Sequence, residues 1–240
     1  MIIIPMAGLS RRFSEAGYDK PKFMLKLRGL SLFTHSLLSF KDYFKVEKFL
    51  FIARDLSGFK NFISDEVREL GIDNFEVIML DHETTGQAET VFEGISKCKI
   101  LPRESITIFN IDTFRPNFQY PLGINCDGYL EVFKGYGQNW SYVKLDPKQT
   151  NKVIETAEKN PISDLCCTGL YFFNHYEDFL DAFLYHRDNS IFVNGELYVA
   201  PLYNFLINKG KYITYDLIGE DDVIFCGTPQ EYEDLIKKFD

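Results

Sequence analysis

The first half of the chain alternates between short apolar runs and longer segments in which apolar residues recur at helical spacing. The apolar runs predict buried strands at residues 2–4, 47–54, 74–80 and 105–110. The intervening segments predict helices at residues 31–40, 57–70 and 87–98, with Ser31 as N-cap of the first. Strand followed by helix, three times in succession, predicts a parallel sheet with helices on both faces. Ligands bind to such sheets beyond the carboxyl ends of the strands.

The second half has a different pattern, with short strands joined by turns that are rich in Gly and Asn. The predicted strands occupy residues 128–133, 140–145, 152–157, 168–174, 211–216 and 223–226. The predicted helices occupy residues 175–185, 196–209 and 229–239, and Pro201 is expected to kink the second of them. No linker-like stretch, charge block or internal repeat divides the chain. We therefore predict one α/β domain over residues 1–240, with a central mixed, mostly parallel sheet in a Rossmann-like three-layer sandwich.

The amino-acid composition limits the kinds of ligand and partner that the protein can be expected to bind. A net charge of -9 argues against a nucleic-acid binder, which needs a basic surface. Five cysteines without CxxC spacing argue against a disulfide framework and favour reduced thiols in the cytoplasm. No apolar run approaches the ~20 residues that span a membrane. The aromatic content of 16% is compatible with a homo-oligomeric interface.

The loop after the first strand is the strongest candidate site. Small residues there let backbone N–H groups approach the phosphates of a nucleotide, and the loop continues into two arginines. Arg12 offers a bidentate phosphate contact, and Lys22 offers a point charge. The candidate nucleotide-binding residues of this loop are Ala7, Gly8, Leu9, Ser10, Arg12 and Lys22. The alternative interpretation is a strand, a turn and a solvated basic surface.

The order of buried strand, small residues, arginine and then Pro21-Lys22 resembles the N-terminal signature of the sugar-nucleotidyltransferase-like family. The family pattern is a strand, Ala-Gly-x-Gly-x-Arg, a spacer and Pro-Lys, and Ser10 stands where the second glycine is usual. The matching motifs run from Ile2 to Pro229, which is nearly the whole chain. The resemblance implies a nucleotide-binding half at residues 1–115 and an acceptor-binding half at residues 116–240.

Two further motifs in the first half match the family. Gly86 and Gln87 stand where relatives recognise the base through backbone groups, and the Gln87 amide offers side-chain hydrogen bonds as well. A plain helix N-terminus is the alternative. Asp112 follows the fourth predicted strand, where relatives carry an aspartate that holds Mg²⁺ against the nucleotide phosphates. A turn or N-cap aspartate is the alternative. The implied catalytic residues are Arg12, Lys22 and Asp112.

The resemblance continues in the second half. Glu158 and Lys159 match a Glu-Lys-Pro motif, with the proline one position late at Pro161. In the family the lysine holds the acceptor phosphate and the glutamate often contacts the acceptor, which implies those roles here. Glu196 matches an acceptor-binding glutamate only weakly, because the dipole of a helix predicted to start there explains an acidic residue equally well.

One position departs from the family pattern. Relatives often carry a second metal-binding aspartate two residues before a Gly-Thr pair, and Phe225 occupies that position here. A second ligand then has to come from Asp222, Glu220 or waters.

The implied reaction joins a nucleoside triphosphate to a phosphorylated small molecule and releases pyrophosphate. The length and the opening motif are similar to a smaller group of the family associated with bacterial capsule assembly. That likeness implies CTP, L-glutamine phosphate as acceptor, and phosphoramidate decoration of the capsule. The alternatives are a sugar-1-phosphate acceptor with UTP or dTTP, a non-catalytic nucleotide-binding regulatory domain, and a dinucleotide oxidoreductase. The last lacks its glycine fingerprint GxGxxG in this sequence.

Overall fold

The computed structural model describes residues 1–56, 58–123 and 125–239. The strands within these ranges are β1 (Ile2–Met6), β2 (Lys26–Leu27), β3 (Leu30–Ser31), β4 (Phe49–Arg54), β5 (Phe75–Leu80), β6 (Ile106–Phe109), β7 (Thr113–Phe114), β8 (Gly128–Lys134), β9 (Ser141–Leu145), β10 (Val153–Glu158), β11 (Leu165–Phe173), β12 (Ile213–Leu217) and β13 (Ile224–Phe225). The α-helices are α1 (Arg11–Glu15), α2 (Leu32–Leu37), α3 (Phe59–Glu69), α4 (Gln87–Lys97), α5 (Tyr176–Asp188), α6 (Tyr203–Asn208) and α7 (Pro229–Phe239). No described helix has the length and apolar character needed to cross a membrane.

Nine strands form one mixed sheet with the order β10-β9-β11-β6-β1-β4-β5, while β8 pairs with β11 and β12 pairs with β8. The strands β6, β1, β4 and β5 run parallel, as the strand–helix alternation predicts. Strand β11 then enters antiparallel to β6 and joins the second half of the chain to the first. The predicted α/β class with a central mixed sheet is confirmed.

The alternating side chains of β1 enter two separate cores, one on each face of the sheet. Ile3 packs with Ile52 and Val91 on the face covered by α4 and α5. Ile2 and Ile4 pack on the other face, which α2 and α3 cover. Each of these fully buried isoleucines contributes about 1.5–3 kcal/mol of burial free energy. A strand buried on both faces needs a continuous apolar run, which is why β1 has that composition.

Most predicted elements are present, and the Ser31 hydroxyl caps α2 by accepting from the N–H of Thr34 at 3.0 Å. The predicted start of the second helix at Ser57 lies outside the described residues. The predicted helix at residues 196–209 is wrong in its first part. A 3₁₀ turn at Ala200–Leu202 leads into α6, which begins only at Tyr203. The bridge between Glu196 and Val193 and the hydrogen bonds of Leu197 to Thr85 and Ala88 keep this first part non-helical. Pro201 lies in the first turn of the 3₁₀ segment, where a missing N–H is tolerated.

The sheet places its functional edge where β1 and β6 end. Residues 7–10 leave the carboxyl end of β1, and Asn110 and Asp112 leave the carboxyl end of β6 beside it. A separate two-stranded ribbon, formed by β7 and β13, follows Asp112 and closes one side of this edge.

Candidate active site

A cleft of about 860 Å³ opens at this edge, between the parallel strands of the first half and the antiparallel strands of the second. It is lined by most of the residues that the sequence singles out, namely Ala7, Gly8, Leu9, Ser10, Arg12, Lys22, Gly86, Gln87, Asp112, Glu158 and Glu196. Lys159 is not among the lining residues. The structure therefore brings residues from distant parts of the chain to one cavity.

The opening loop presents backbone to the cleft. Ala7 is buried, whereas Gly8 and Leu9 are exposed. A Cβ added at Gly8 would meet nothing within 4 Å, so the space in front of this residue is open to a ligand. The loop is held from behind by Phe13, which is buried against Tyr18 at a ring distance of 5.5 Å. A fixed backbone with open space in front of it is suited to phosphate binding.

Ser10, which stands where the family pattern has its second glycine, adopts a left-handed backbone conformation. Its φ is 51°, in the left-handed region that glycine occupies at least cost. The Ser10 hydroxyl accepts a hydrogen bond from the backbone N–H of Lys22 at 3.3 Å. Serine therefore ties the loop to the lysine segment, which glycine could not do.

Lys22 and Asp112 form an ion pair at the end of the cleft that the opening loop lines. Each side chain is 22% exposed, so the pair is accessible to a ligand from the cleft. Lys22 lies in a short 3₁₀ turn at Lys22–Met24, anchored by the buried ring of Phe23. The pair places one cation and one carboxylate at the point where the sheet ends.

A second carboxylate lies near Asp112. A Cβ added at Gly227 would lie 3.1 Å from Asp112 Oδ2 and 3.7 Å from Glu231 Oε2, so both carboxylates border the same small space. The described residues contain no group of three or more His, Cys, Asp or Glu side chains arranged to hold a metal ion. Mg²⁺ needs no such group, because it retains waters and takes one or two carboxylates together with substrate phosphates. Asp112 therefore fits Mg²⁺. Glu231 borders the same space, but its Oε2 already accepts from the N–H groups of Gly227 and Thr228, at 2.8 and 2.9 Å, so it would offer the metal its other oxygen.

Glu220 and Asp222, the second ligands suggested by the sequence, do not line the cleft. Asp222 instead accepts from the N–H of Gly219 at 3.0 Å in the turn before β13. Phe225, which replaces the family aspartate, packs its ring against Trp140 at 4.6 Å. The position that would carry a second metal ligand is thus part of an aromatic wall.

The candidate base-binding loop is bonded to the segment that contains Glu196. Leu197 donates from its N–H to the carbonyl of Thr85 at 2.9 Å and accepts from the N–H of Ala88 at 3.0 Å. A Cβ at Gly86, whose φ is +145°, would come within 2.5 Å of the Leu197 carbonyl oxygen. Glycine is required at this position by both backbone conformation and space.

Gln87 is held by the end of β6. Its amide nitrogen donates to the Asn110 side-chain oxygen. Asn110 in turn packs so closely on Gly169 of β11 that a Cβ there would lie 2.3 Å from its amide nitrogen. The Gln87 amide is therefore oriented, and its carbonyl oxygen remains available as an acceptor.

The other end of the cleft is acidic and aromatic. The Ser141 hydroxyl donates to Glu158, which is only 9% exposed, and Tyr171 OH lies 3.5 Å from the same hydroxyl. Burial raises the pKa of Glu158 above its usual value, against the opposing effects of Ser141 and Lys159. A buried carboxylate whose charge is disfavoured is well placed to pair with a cationic group of a ligand.

Lys159 is engaged by Tyr198, which lines the cleft in its place. The Lys159 ammonium donates to the Tyr198 hydroxyl and lies 4.6 Å from the centre of that ring. The pKa of Tyr198 is raised, first by burial and then by the neighbouring Glu196 carboxylate. The sequence predicts Glu196 in a first helical turn, which is wrong, because Glu196 forms an antiparallel bridge with Val193. Glu196 and Tyr198 both line the cleft.

Sequence patterns do not single out four of the residues that line the cleft, namely Ser141, Trp140, Tyr198 and Glu231. Only Glu231 has a local signal, the Thr-x-x-Glu spacing of a capping box. The structure contains that motif, since Glu231 accepts from the N–H of Thr228 at 2.9 Å and donates its own N–H to Thr228 Oγ1 at 3.2 Å. Ser141 and Trp140 reach the cleft through contacts with the end of β10 and the residue after it, and Tyr198 through the hydrogen bonds of Leu197 to residues 85–88. No local sequence pattern encodes these contacts.

No protein-family model and no curated protein matches this chain. Among solved structures, the nucleoside-diphosphate-sugar pyrophosphorylase from Vibrio cholerae RC9 is 51% identical, with a TM-score of 0.91 over 99% of this chain and 100% of that one. The inositol-1-phosphate CTP transferase from T. maritima is 15% identical, with a TM-score of 0.74 over 99% of this chain and 94% of that one. A UDP-glucose pyrophosphorylase complexed with UDP-glucose is 13% identical, with a TM-score of 0.76 over 99% and 97%.

The two distant structures establish the fold alone. The Vibrio relative, at half of all positions identical over its full length, establishes more than the fold. The chain belongs to the nucleoside-diphosphate-sugar pyrophosphorylases, a family of nucleotidyltransferases.

Proposed function

We propose that this chain transfers a nucleoside monophosphate from a triphosphate, CTP, to the phosphate group of a small acceptor and releases pyrophosphate. The observation that supports this proposal is a single cleft with two chemically different ends. One end, which we call the nucleotide end, carries the exposed backbone of the opening loop, Arg12 and the Lys22–Asp112 pair. The other carries buried carboxylate and aromatic side chains. A triphosphate suits the first end and an acceptor suits the second.

The reaction needs few groups from the protein. An acceptor phosphate oxygen attacks the α-phosphorus, a new P–O bond forms, and the bond to the pyrophosphate oxygen breaks on the opposite side. A phosphate monoester has a second pKa of about 6, so the attacking oxygen is already ionised near neutral pH. No general base is required, and catalysis consists of positioning and charge neutralisation.

The basic residues of the nucleotide end supply that neutralisation. We assign the Lys22 ammonium to the α-phosphate. We assign the Arg12 guanidinium, which can make two parallel hydrogen bonds, to the β- and γ-phosphates. Asp112, together with Glu231, would hold Mg²⁺ in the space beside Gly227. When bound, Mg²⁺ offsets the charge of the triphosphate and so favours attack by an anion.

The orientation of Gln87 supports CTP. Because its amide nitrogen donates to Asn110, its carbonyl oxygen is left to a ligand as an acceptor. Cytosine carries an exocyclic amine that donates, whereas uracil and thymine carry a carbonyl oxygen at that position. Gly86 contributes its backbone to the same subsite.

The acidic end supports an acceptor that carries a cation as well as a phosphate, and we propose L-glutamine phosphate, as used to decorate bacterial capsule with phosphoramidate. Its ammonium would pair with Glu158 or Glu196 and approach the ring of Tyr198. Lys159 would bind the phosphate of the acceptor after its hydrogen bond to the Tyr198 hydroxyl breaks. A neutral sugar-1-phosphate carries no cationic group to pair with these carboxylates.

The second candidate is transfer to a sugar-1-phosphate with UTP or dTTP, which the name of the 51% identical relative favours. Pyrophosphate release with each of CTP, UTP, dTTP and GTP, paired with L-glutamine phosphate and with a panel of sugar-1-phosphates, separates the two. We expect release with CTP and the amino-acid phosphate. Release only with a sugar phosphate establishes the second candidate, and no release with any pair leaves a nucleotide-binding regulatory domain.

A further inference from the structure

A buried ion pair between Arg115 and Glu131 lies outside the cleft. Arg115 follows Asp112 by three residues. Arg115 Nε donates to both carboxylate oxygens of Glu131, each at 2.9 Å. The two side chains are 8% and 0% exposed. Thr168 adds a third member, because its hydroxyl donates to Glu131 Oε1 at 2.8 Å. The carboxylate is thus fully engaged, and neither Arg115 nor Glu131 lines the cleft.

The pair connects the ribbon of β7 and β13 to the main sheet. Arg115 immediately follows β7, and its Nη1 donates to the carbonyl of Asp222, just before β13, at 2.7 Å. Glu131 belongs to β8, which pairs with β11 and β12. A single guanidinium therefore holds both strands of the ribbon against the sheet.

The two carboxylates of the nucleotide end, Asp112 and Glu231, lie just outside the ribbon, one before β7 and one after β13. Asp112 precedes β7, and its carbonyl accepts from the N–H of Cys226 at 2.8 Å. Gly227 follows β13, and Glu231 lies in the first turn of α7. Any shift of the ribbon would therefore move Asp112 away from Lys22, which belongs to a different part of the chain.

A buried ion pair is a poor means of stabilising a fold. Removing two charges from water costs about as much as their attraction returns, and apolar replacements of similar volume are often as stable. We propose that Arg115 and Glu131 are positioning residues, which hold the ribbon so that Asp112 faces Lys22. The catalytic consequence rests on the proposed function, whereas the positioning itself does not.

A thiol-labelling experiment tests the positioning without any assay of activity. Cys226 directly follows β13 of the ribbon and is buried. Strand β4, which pairs with β1 and β5, is buried along nearly its whole length and serves as the reference for global opening. We would measure alkylation of Cys226 and hydrogen exchange of the β4 amides, both by mass spectrometry, in the wild type, in Glu131→Gln, and in the double variant Arg115→Met/Glu131→Leu. Val67→Ala, in α3 on the opposite part of the sheet, is the control for general loss of stability.

If the pair positions the ribbon, labelling of Cys226 rises by about tenfold or more in both pair variants, while hydrogen exchange in β4 does not change. Val67→Ala should raise Cys226 labelling and β4 exchange together, because it acts through global opening. A parallel rise of Cys226 labelling and β4 exchange in the pair variants would show that the pair merely stabilises the fold, and would overturn the proposal.

A kinetic measurement then tests the catalytic consequence. The double variant, compared at a temperature where it is fully folded, should lose about 10- to 100-fold in kcat/KM for the nucleotide, the range seen when partners behind metal ligands are removed. The KM for the acceptor should stay unchanged. Wild-type kinetics in a folded double variant would contradict positioning. A wild type without transferase activity would refute the proposed function while leaving the labelling result to decide the positioning.

Discussion

The two ends of the cleft are formed by different structural elements. At the nucleotide end, the loop from Ala7 to Ser10 offers backbone at the end of a parallel strand, with open space in front of Gly8. At the acceptor end, Glu158, Ser141 and Tyr171 come from antiparallel strands, and the Ser141 hydroxyl bonds to both of the others. The first arrangement suits any triphosphate, since backbone N–H groups do not distinguish one nucleotide from another. The second can discriminate, because a ligand must replace or match existing contacts.

Replacing Lys22 by alanine should produce the largest effect, because we assign this side chain to the reacting phosphate itself. We expect kcat to fall by about 100- to 1,000-fold, as when one charge-stabilising donor is removed from an active site. Lys20→Ala, at an exposed position two residues earlier, is the matched control. Circular dichroism should show an intact fold in both, and near-normal turnover in Lys22→Ala would exclude its assigned role.

Asp112→Asn should abolish Mg²⁺-dependent nucleotide binding, since it removes a carboxylate that fits the metal. Trp140 is the single tryptophan of the chain and lines the cleft, so its fluorescence reports binding directly. We expect nucleotide affinity in the presence of Mg²⁺ to fall about 10- to 100-fold, to the value measured with chelator. Asp221→Asn, at an exposed position, should behave as the wild type. Retained metal dependence in Asp112→Asn would count against the site.

Lys159→Ala should separate the two ends by affecting only the acceptor. Loss of one charged hydrogen bond, about 1.5–3 kcal/mol, predicts a rise in acceptor KM of roughly 10- to 100-fold. The KM for the nucleotide should not change. Lys148→Ala, on an exposed turn, is the control. An equal change in both KM values would mean that Lys159 does not belong to a separate acceptor subsite.

The smallest expected effect concerns pH. Burial raises the pKa of Glu158, so folding favours its protonated form. This stabilisation is complete below the ordinary carboxyl value of 4.5 and is lost as pH rises through the higher folded value. Glu158→Gln should therefore raise Tm relative to the wild type only at the higher pH, by at most about 4 °C. A Tm difference that is the same at pH 4 and pH 8 would mean that the charge of Glu158 is not disfavoured.

The sequence predicts the nucleotide end far better than the acceptor end, for a physical reason. Loops at the ends of parallel strands lie together by topology, so Gly8, Gly86 and Asp112 can be assigned to one edge from the order of elements alone. Trp140 and Tyr198 reach the cleft through antiparallel pairing and a turn, whose register depends on contacts between distant segments. The predicted helix at residues 196–209 failed in its first part for a related reason, because a bridge to Val193 and hydrogen bonds to the 85–88 loop outweigh local helix propensity.

Oxygen labelling tests most directly the central claim that an oxygen of the acceptor phosphate attacks the α-phosphorus of the nucleotide. With CTP and L-glutamine phosphate labelled with ¹⁸O in its phosphoryl oxygens, we expect a CMP conjugate that retains all of the label, together with unlabelled pyrophosphate. Mass spectrometry of both products reads the outcome. Label in the pyrophosphate, or release of CMP and pyrophosphate without a conjugate, would contradict this mechanism.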